Sequence, residues 1–140
     1  MAFDSSPLRV EIVAADGIVW EGEAESFLAR TTEGDIGILR HHEPILASLV
    51  PCAVEVLSAD GGVREIIAID GGFLAVDENR VSVLTGHGRM AREIKLTDAE
   101  REYAAARKAL DAGDVSLETR QHYYRARAQL RAAHRAAEQH

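Results

Sequence analysis

Cysteine is almost missing from this chain. The single thiol, Cys52, leaves no partner for an internal disulfide and excludes thiolate zinc sites, which need several such ligands. It follows Pro51 at the head of an apolar, strand-like run, where a buried and inert thiol is the expectation. No apolar run approaches the roughly twenty residues needed to span a bilayer. The opening Met-Ala-Phe-Asp-Ser-Ser-Pro lacks the basic and apolar regions of a secretory signal. These absences point to a cytosolic chain, or one held at a membrane only through partners, with no direct membrane insertion. Signatures of chemistry are missing as well. Gly34 to Arg40 lacks the lysine and hydroxyl of a phosphate loop, and Gly86-His87-Gly88 is too short for a dinucleotide fingerprint. His41-His42 could contribute to a metal site, but neighbours on a strand point to opposite faces, so a structural or interfacial role for one imidazole is the better reading. Asp70, Asp77 and Glu78 read as turn carboxylates that cap backbone amides. No catalytic constellation, cofactor or metal is expected.

What is present is ordinary in amount and uneven in placement. A composition 46% hydrophobic and 28% charged suits a soluble globular chain. A length of 140 residues allows one domain, or a small domain with an appendage. The net charge is −7, yet residues 115–140 hold five arginines against only Glu118 and Glu138. An acidic body argues against nucleic acid as the main partner, because phosphate repels it. A basic last segment argues for an acidic protein surface, either the chain's own body or another subunit.

From Leu8 to about Glu93 the pattern favours strands. Leu8, Val10 and Ile12 alternate with Arg9, Glu11 and Val13, the period-2 signature of a half-buried strand. Asp16-Gly17 makes a turn before a short strand over Ile18 to Trp20, and another follows from Ala24 to Thr31. Ala53–Leu57 and Val63–Ile69 flank Ser58 to Gly62, a hairpin signal. Asp70-Gly71-Gly72 breaks the run, Phe73–Val76 resumes it, Glu78-Asn79 turns, and Arg80–Leu84 closes the meander. Such spacing predicts an antiparallel β-sandwich over residues 1–93. After Ile94 the period changes. Thr97 and Glu100 form a capping box, and Ala99, Tyr103, Ala106 and Leu110 share an arc of roughly 60° on one helix face. Gly113 supplies a left-handed stop, and Asp114 or Ser116 can cap a second helix over Leu117–Ala137. Its apolar stripe is Tyr123, Ala126, Leu130, Ala133 and Ala137, with Arg120, Arg127, Arg131 and Arg135 on an arc of about 80° roughly opposite. An antiparallel αα-hairpin over residues 94–140 results, making the whole chain α+β. With alanines between its few large side chains, the hairpin is expected to dock weakly. Its basic face is either a solvated surface or an interface, the latter favoured by Leu117 and Tyr124 among the arginines.

One stretch is more specific than composition or period. Gly34-Asp-Ile-Gly-Ile-Leu-Arg-His-His-Glu-Pro-Ile-Leu46, then Gly71-Gly72-Phe73, then Asn79-x-Val81-x-Val83-Leu84 and a helical tail, occur in one order. Together they resemble the epsilon subunit of the bacterial F-type ATP synthase. His42, Pro44 and Leu46 match its usual pattern, while Arg40 stands where a proline is common and Ala75 where a glutamate is. The resemblance implies a non-catalytic rotor subunit on the cytoplasmic side of the cell membrane, peripheral to it, that helps couple proton translocation to ATP synthesis. It implies the gamma subunit and the c-ring as partners of the sandwich, through Gly37, Ile38, His42 and Pro44. It also implies that the hairpin rises to the catalytic beta (and alpha) subunits and restrains ATP hydrolysis, with Arg120, Arg127, Arg131 and Arg135 meeting acidic helices of beta. Some members bind ATP through Ile/Leu-Asp-x-x-Arg-Ala. Here the direct alignment reads Ile94-Lys95-Leu96-Thr97-Asp98-Ala99, with both charges inverted, though a shifted one recovers Asp98-x-x-Arg101. Nucleotide sensing by the isolated subunit is therefore not expected. The competing reading is a free-standing sandwich whose basic helix recruits an acidic protein or RNA.

Overall fold

The computed structural model describes residues 5–138; residues 1–4, on which part of the signal-peptide reading rests, and 139–140 lie outside it. Seven strands come first: β1 (Leu8–Ala14), β2 (Gly17–Thr31), β3 (Gly34–Leu39), β4 (Ile45–Ser58), β5 (Arg64–Asp77), β6 (Arg80–Leu84) and β7 (Gly88–Met90). A 3-10 turn at Ala91–Glu93 leads to α1 (Leu96–Asp111) and α2 (Leu117–Ala137). The strand order is β1-β6-β5-β4-β2-β3, with β1 also pairing β2, so five strands close around one core. Leu8, Ile12, Phe27, Ile38, Val54, Ile67, Leu74 and Val83 fill it, each almost wholly buried.

The expected sandwich is present, but β3, the first half of β4 and β7 were not expected as strands, and two further differences stand out. All strand pairs are antiparallel except β1 and β6, which run parallel with Val10 opposite Val81 and Ile12 opposite Val83. That pairing joins residues about seventy positions apart, so no local turn signal announces it. The expected breaks inside β2 and β5 are bends within single strands, 15 and 14 residues long. In β5 the bend falls at Gly71 and Gly72, whose φ of 78° and 127° lie in the region that favours glycine. A Cβ on Gly72 would collide with the Leu84 carbonyl oxygen. Register passes from the Leu49–Gly72 pair to the Pro51–Asp70 pair, so β4 and β5 turn together there.

The helices follow the same logic of local signal and tertiary override. α1 starts at Leu96 with Lys95 as an uncapped N-cap, so the Thr97/Glu100 capping box does not form. Leu96 packs into a second apolar cluster with Ile66, Ala68, Ala91 and Ile94, and this draws the helix start N-terminal of Thr97. At the other end Gly113 (φ 96°) donates to Leu110 and Asp114 to Ala109, the two bonds of a Schellman ending. Ser116 caps α2 by accepting from the Thr119 amide at 3.3 Å. Asp114 supports the same turn, accepting from the Thr119 hydroxyl at 2.7 Å and the Ser116 amide at 3.1 Å.

Contrary to expectation, α2 carries two buried strips. Tyr123, Ala126, Leu130 and Ala133 lie on the arc toward α1, whereas Ala137 is exposed. Ala128 and Ala132 lie on a second arc, between Arg125 and Arg135 on the helical wheel, and α2 packs there on β4 and β5. The helix is thus held between α1 and the sheet. Alanines at 128 and 132 read as neutral filler in a hydrophobic stripe, which is why a single stripe was expected.

Candidate functional site

The end of the sandwich formed by residues 39–44 is tightly braced. The Arg40 guanidinium bonds the Glu25 carboxylate and the Ser5 carbonyl oxygen. His41, with φ of 64°, donates its backbone N–H to Asn79 Oδ1 at 2.8 Å. Asn79 in turn donates to the Ser6 and Pro7 carbonyl oxygens at 3.0 and 3.1 Å, so one side chain ties three segments together. The His pair therefore lies in a turn and not on a strand. His42 is half-buried, with Nδ1 2.7 Å from the Glu43 carbonyl oxygen, and Pro44 is exposed beside it. Gly37 is exposed on β3 opposite Leu28. Ile38 departs from expectation: at 0% exposure it is a core residue, because β3 alternates and its odd partners face out. It cannot itself touch a partner. Among the described residues no group of three or more potential metal ligands converges.

Next to this end lies a surface that sequence reasoning missed. Leu46, Phe73 and Leu84 are 76%, 59% and 59% exposed. Cross-strand register sets Leu46 beside Ala75 and Phe73 beside Leu84, with Ser48 and Ser82 completing the same outward face. This patch of β4, β5 and β6 carries no charge and is bounded by the exposed Asp77–Arg80 pair at the strand ends and by Glu11 of β1 beside Ser82. The signal was available: in β5, Phe73 and Ala75 occupy the outward phase of the alternation, where polar residues are expected. Ala75, in place of the glutamate common in the resembling family, keeps a charge out of this face.

The four predicted arginines occupy different environments. Arg120 is exposed, with no acidic side chain in ion-pair reach among the described residues. Arg127 stacks over Tyr124 and Tyr123, at 5.0 and 5.6 Å from the ring centroids. Arg131 is exposed; the bond from Arg30 holds the Asp35 carboxyl below the usual range, with a smaller contribution in the same direction from Arg131. Arg135 turns to the sheet, donating to Glu55 at 2.8 Å and to Glu138 at 2.9 Å. A fifth arginine, Arg125, was overlooked; its Nε and Nη2 donate to Asp70 Oδ2 at 3.2 and 2.8 Å. Asp70 is thus a strand residue engaged by a helix and not a turn carboxylate. Between the helices, Glu102 meets His122 at 3.0 Å and the Tyr103 and Tyr123 hydroxyls lie 3.3 Å apart. Asp98 and Arg101, the shifted nucleotide-motif residues, pair with each other at 3.7 Å on the rim of an open cleft of ≈ 590 Å³. Cys52 is buried, and burial pushes its thiol pKa up, as an inert core cysteine requires.

A braced loop, an uncharged apolar face and a basic helix on a closed sandwich define a protein that works by docking to other chains. Comparison with known proteins makes this specific. Residues 7–89 match the family model of the ATP synthase delta/epsilon chain β-sandwich domain. An ATP synthase epsilon chain from Cutibacterium acnes is 45% identical over 114 residues, covering 81% of this chain and 77% of that one. One from Mycobacterium avium is 40% identical, covering 89% and 93%. The chain belongs to the epsilon-chain family of the F-type ATP synthase, whose members are non-catalytic central-stalk subunits. A chain in the cryo-EM structure of the Euglena gracilis mitochondrial ATP synthase shares the fold, with a TM-score of 0.72 at 20% identity, covering 99% of this chain and 85% of that one. The free-standing adaptor reading finds no support in these relationships. No helix among the described residues is long and apolar enough to cross a membrane.

Proposed function

We propose that this epsilon chain docks on the gamma subunit through the Leu46–Phe73–Leu84 face and the adjoining His42–Pro44 loop. The same end of the sandwich, with Gly37, reaches the c-ring. The complex then sits at the cytoplasmic face of the cell membrane with this subunit peripheral to it, helping to couple proton translocation to ATP synthesis. The chain divides near residue 93 into a sandwich that stays on the rotor and a hairpin, 94–140, that can leave it. When extended, the hairpin presents Arg120, Arg127, Arg131 and Arg135 to acidic helices of the beta and alpha subunits and restrains ATP hydrolysis. The observation that carries the docking assignment is the uncharged apolar face, since apolar patches flanked by polar residues mark protein interfaces. Phe73→Asp combined with Leu84→Asp is the test. Binding to gamma should fall at least about tenfold, as expected for charges placed in an interface centre, while the isolated chain melts near the parent temperature. Unchanged gamma binding would remove the assignment.

A further inference from the structure

The contact between α2 and the sheet is unusual in its make-up. Its apolar part sets Ala132, Ala133 and the half-buried Ala136 of the helix against Ala53, Ile66 and Ala68 on β4 and β5 and against Ala91 and Ile94 beside them, with Ala128 also buried on the sheet side. Small side chains bury little area, so this strip alone holds the helix weakly. At either end stands an ion pair with a shielded acid: Arg125 with Asp70, whose side chain is 20% exposed, and Arg135 with Glu55, 11% exposed. The two arginines are ten residues apart, about 15 Å along the helix axis. Both acids belong to the sandwich and both bases to the hairpin. Glu55 also has Arg64 at 3.4 Å, so the acid keeps a cation when the helix leaves.

We propose that Glu55 and Asp70 are a two-point carboxylate latch that sets how often the hairpin leaves the sandwich. This deepens the proposed function and rests on it in two respects: the hairpin leaves the sandwich, and Arg135 is among the arginines assigned to an acidic partner. An acidic helix that takes Arg135 must first displace Glu55, so capture and release exchange one carboxylate for another on the same guanidinium. The sandwich carboxylates thereby act as positioning residues for the partner contact, though they never touch the partner.

The test uses the full-length chain, labelled at Asp60→Cys and Gln121→Cys for a distance measurement between the β4–β5 turn and the exposed start of α2. Glu55→Gln and Asp70→Asn are near-isosteric and neutral. Each is expected to raise the undocked fraction about three- to tenfold, the range for losing one partly shielded ion pair. Arg135→Gln should do the same, and the Glu55→Gln/Arg135→Gln double variant should open no further than either single change. Added salt should open the parent more than the double variant. Equal docking in all variants, or openings that multiply in the double variant, would overturn the latch. Hydrolysis by the assembled complex is read separately: variants that open as stated but leave hydrolysis unchanged uphold the latch and overturn the restraint.

Discussion

Gly72 shows how much one residue decides. It has φ of 127°, and its α-hydrogen points at the Leu84 carbonyl oxygen, where no methyl fits. Gly61, in the β4–β5 turn, also has positive φ (77°) but faces open space. Both alanine variants incur the left-handed penalty of about 1–2 kcal/mol, and Gly72→Ala adds a backbone collision of about 1–3 kcal/mol. Urea unfolding should therefore place Gly72→Ala clearly below Gly61→Ala, and equal midpoints would contradict the tight bend. Other single residues were legible because their signal is local. Gly113 stops α1, Ser116 caps α2, and Cys52 lies buried in an apolar run. Glu55 and Asp70 were not legible. Their roles depend on arginines 80 and 55 positions away, which no local pattern specifies.

At the scale of elements, the start of α2 offers a pH test. Bonds from Thr119 and Ser116 hold the Asp114 carboxyl below its ordinary range. A depressed carboxyl stabilises the fold above its unfolded pKa, and that contribution is lost as pH falls through the folded one. Far-UV circular dichroism from about pH 5 down to about pH 2 should show a loss of helicity that is smaller in Asp114→Asn. An identical acid profile in the variant would show that Asp114 does not hold the turn. Element existence and period were readable for most of the chain, and α2 falls where its pattern puts it, but β3, the first half of β4 and β7 carried no strand signal that was recognised. Bounds were less so. The β5 strand continues through the glycines that signal a break, because glycine permits a bend as readily as an end. Thr97 lost its capping role because burial of Leu96 outweighed a local hydrogen bond. The two-sided burial of α2 stayed hidden because alanine fits equally well beside a helix, beside a sheet or in water.

For the whole molecule, β-sandwich and helical hairpin were foreseeable in kind and order, as was the family, through the Gly34–Leu46 segment. The β1–β6 pairing and the apolar docking face needed coordinates, since both arise from strands brought together across the closed sheet. Ending the chain before Leu96 should leave the sandwich folded, because its core draws nothing from the helices. The truncated subunit should assemble and support ATP synthesis while hydrolysis rises severalfold; failure to assemble would make the hairpin a structural part of the stalk. The alanine floor beneath α2 has one more consequence. Alanine has no rotatable side chain to freeze, so resealing this contact costs rotamer entropy chiefly at Ile66 and the two latch arginines and demands little search for matching shapes. Under the proposed function, such a joint can reset after every excursion with little memory of the last one, a property suited to a part that cycles many times without wearing out its fit.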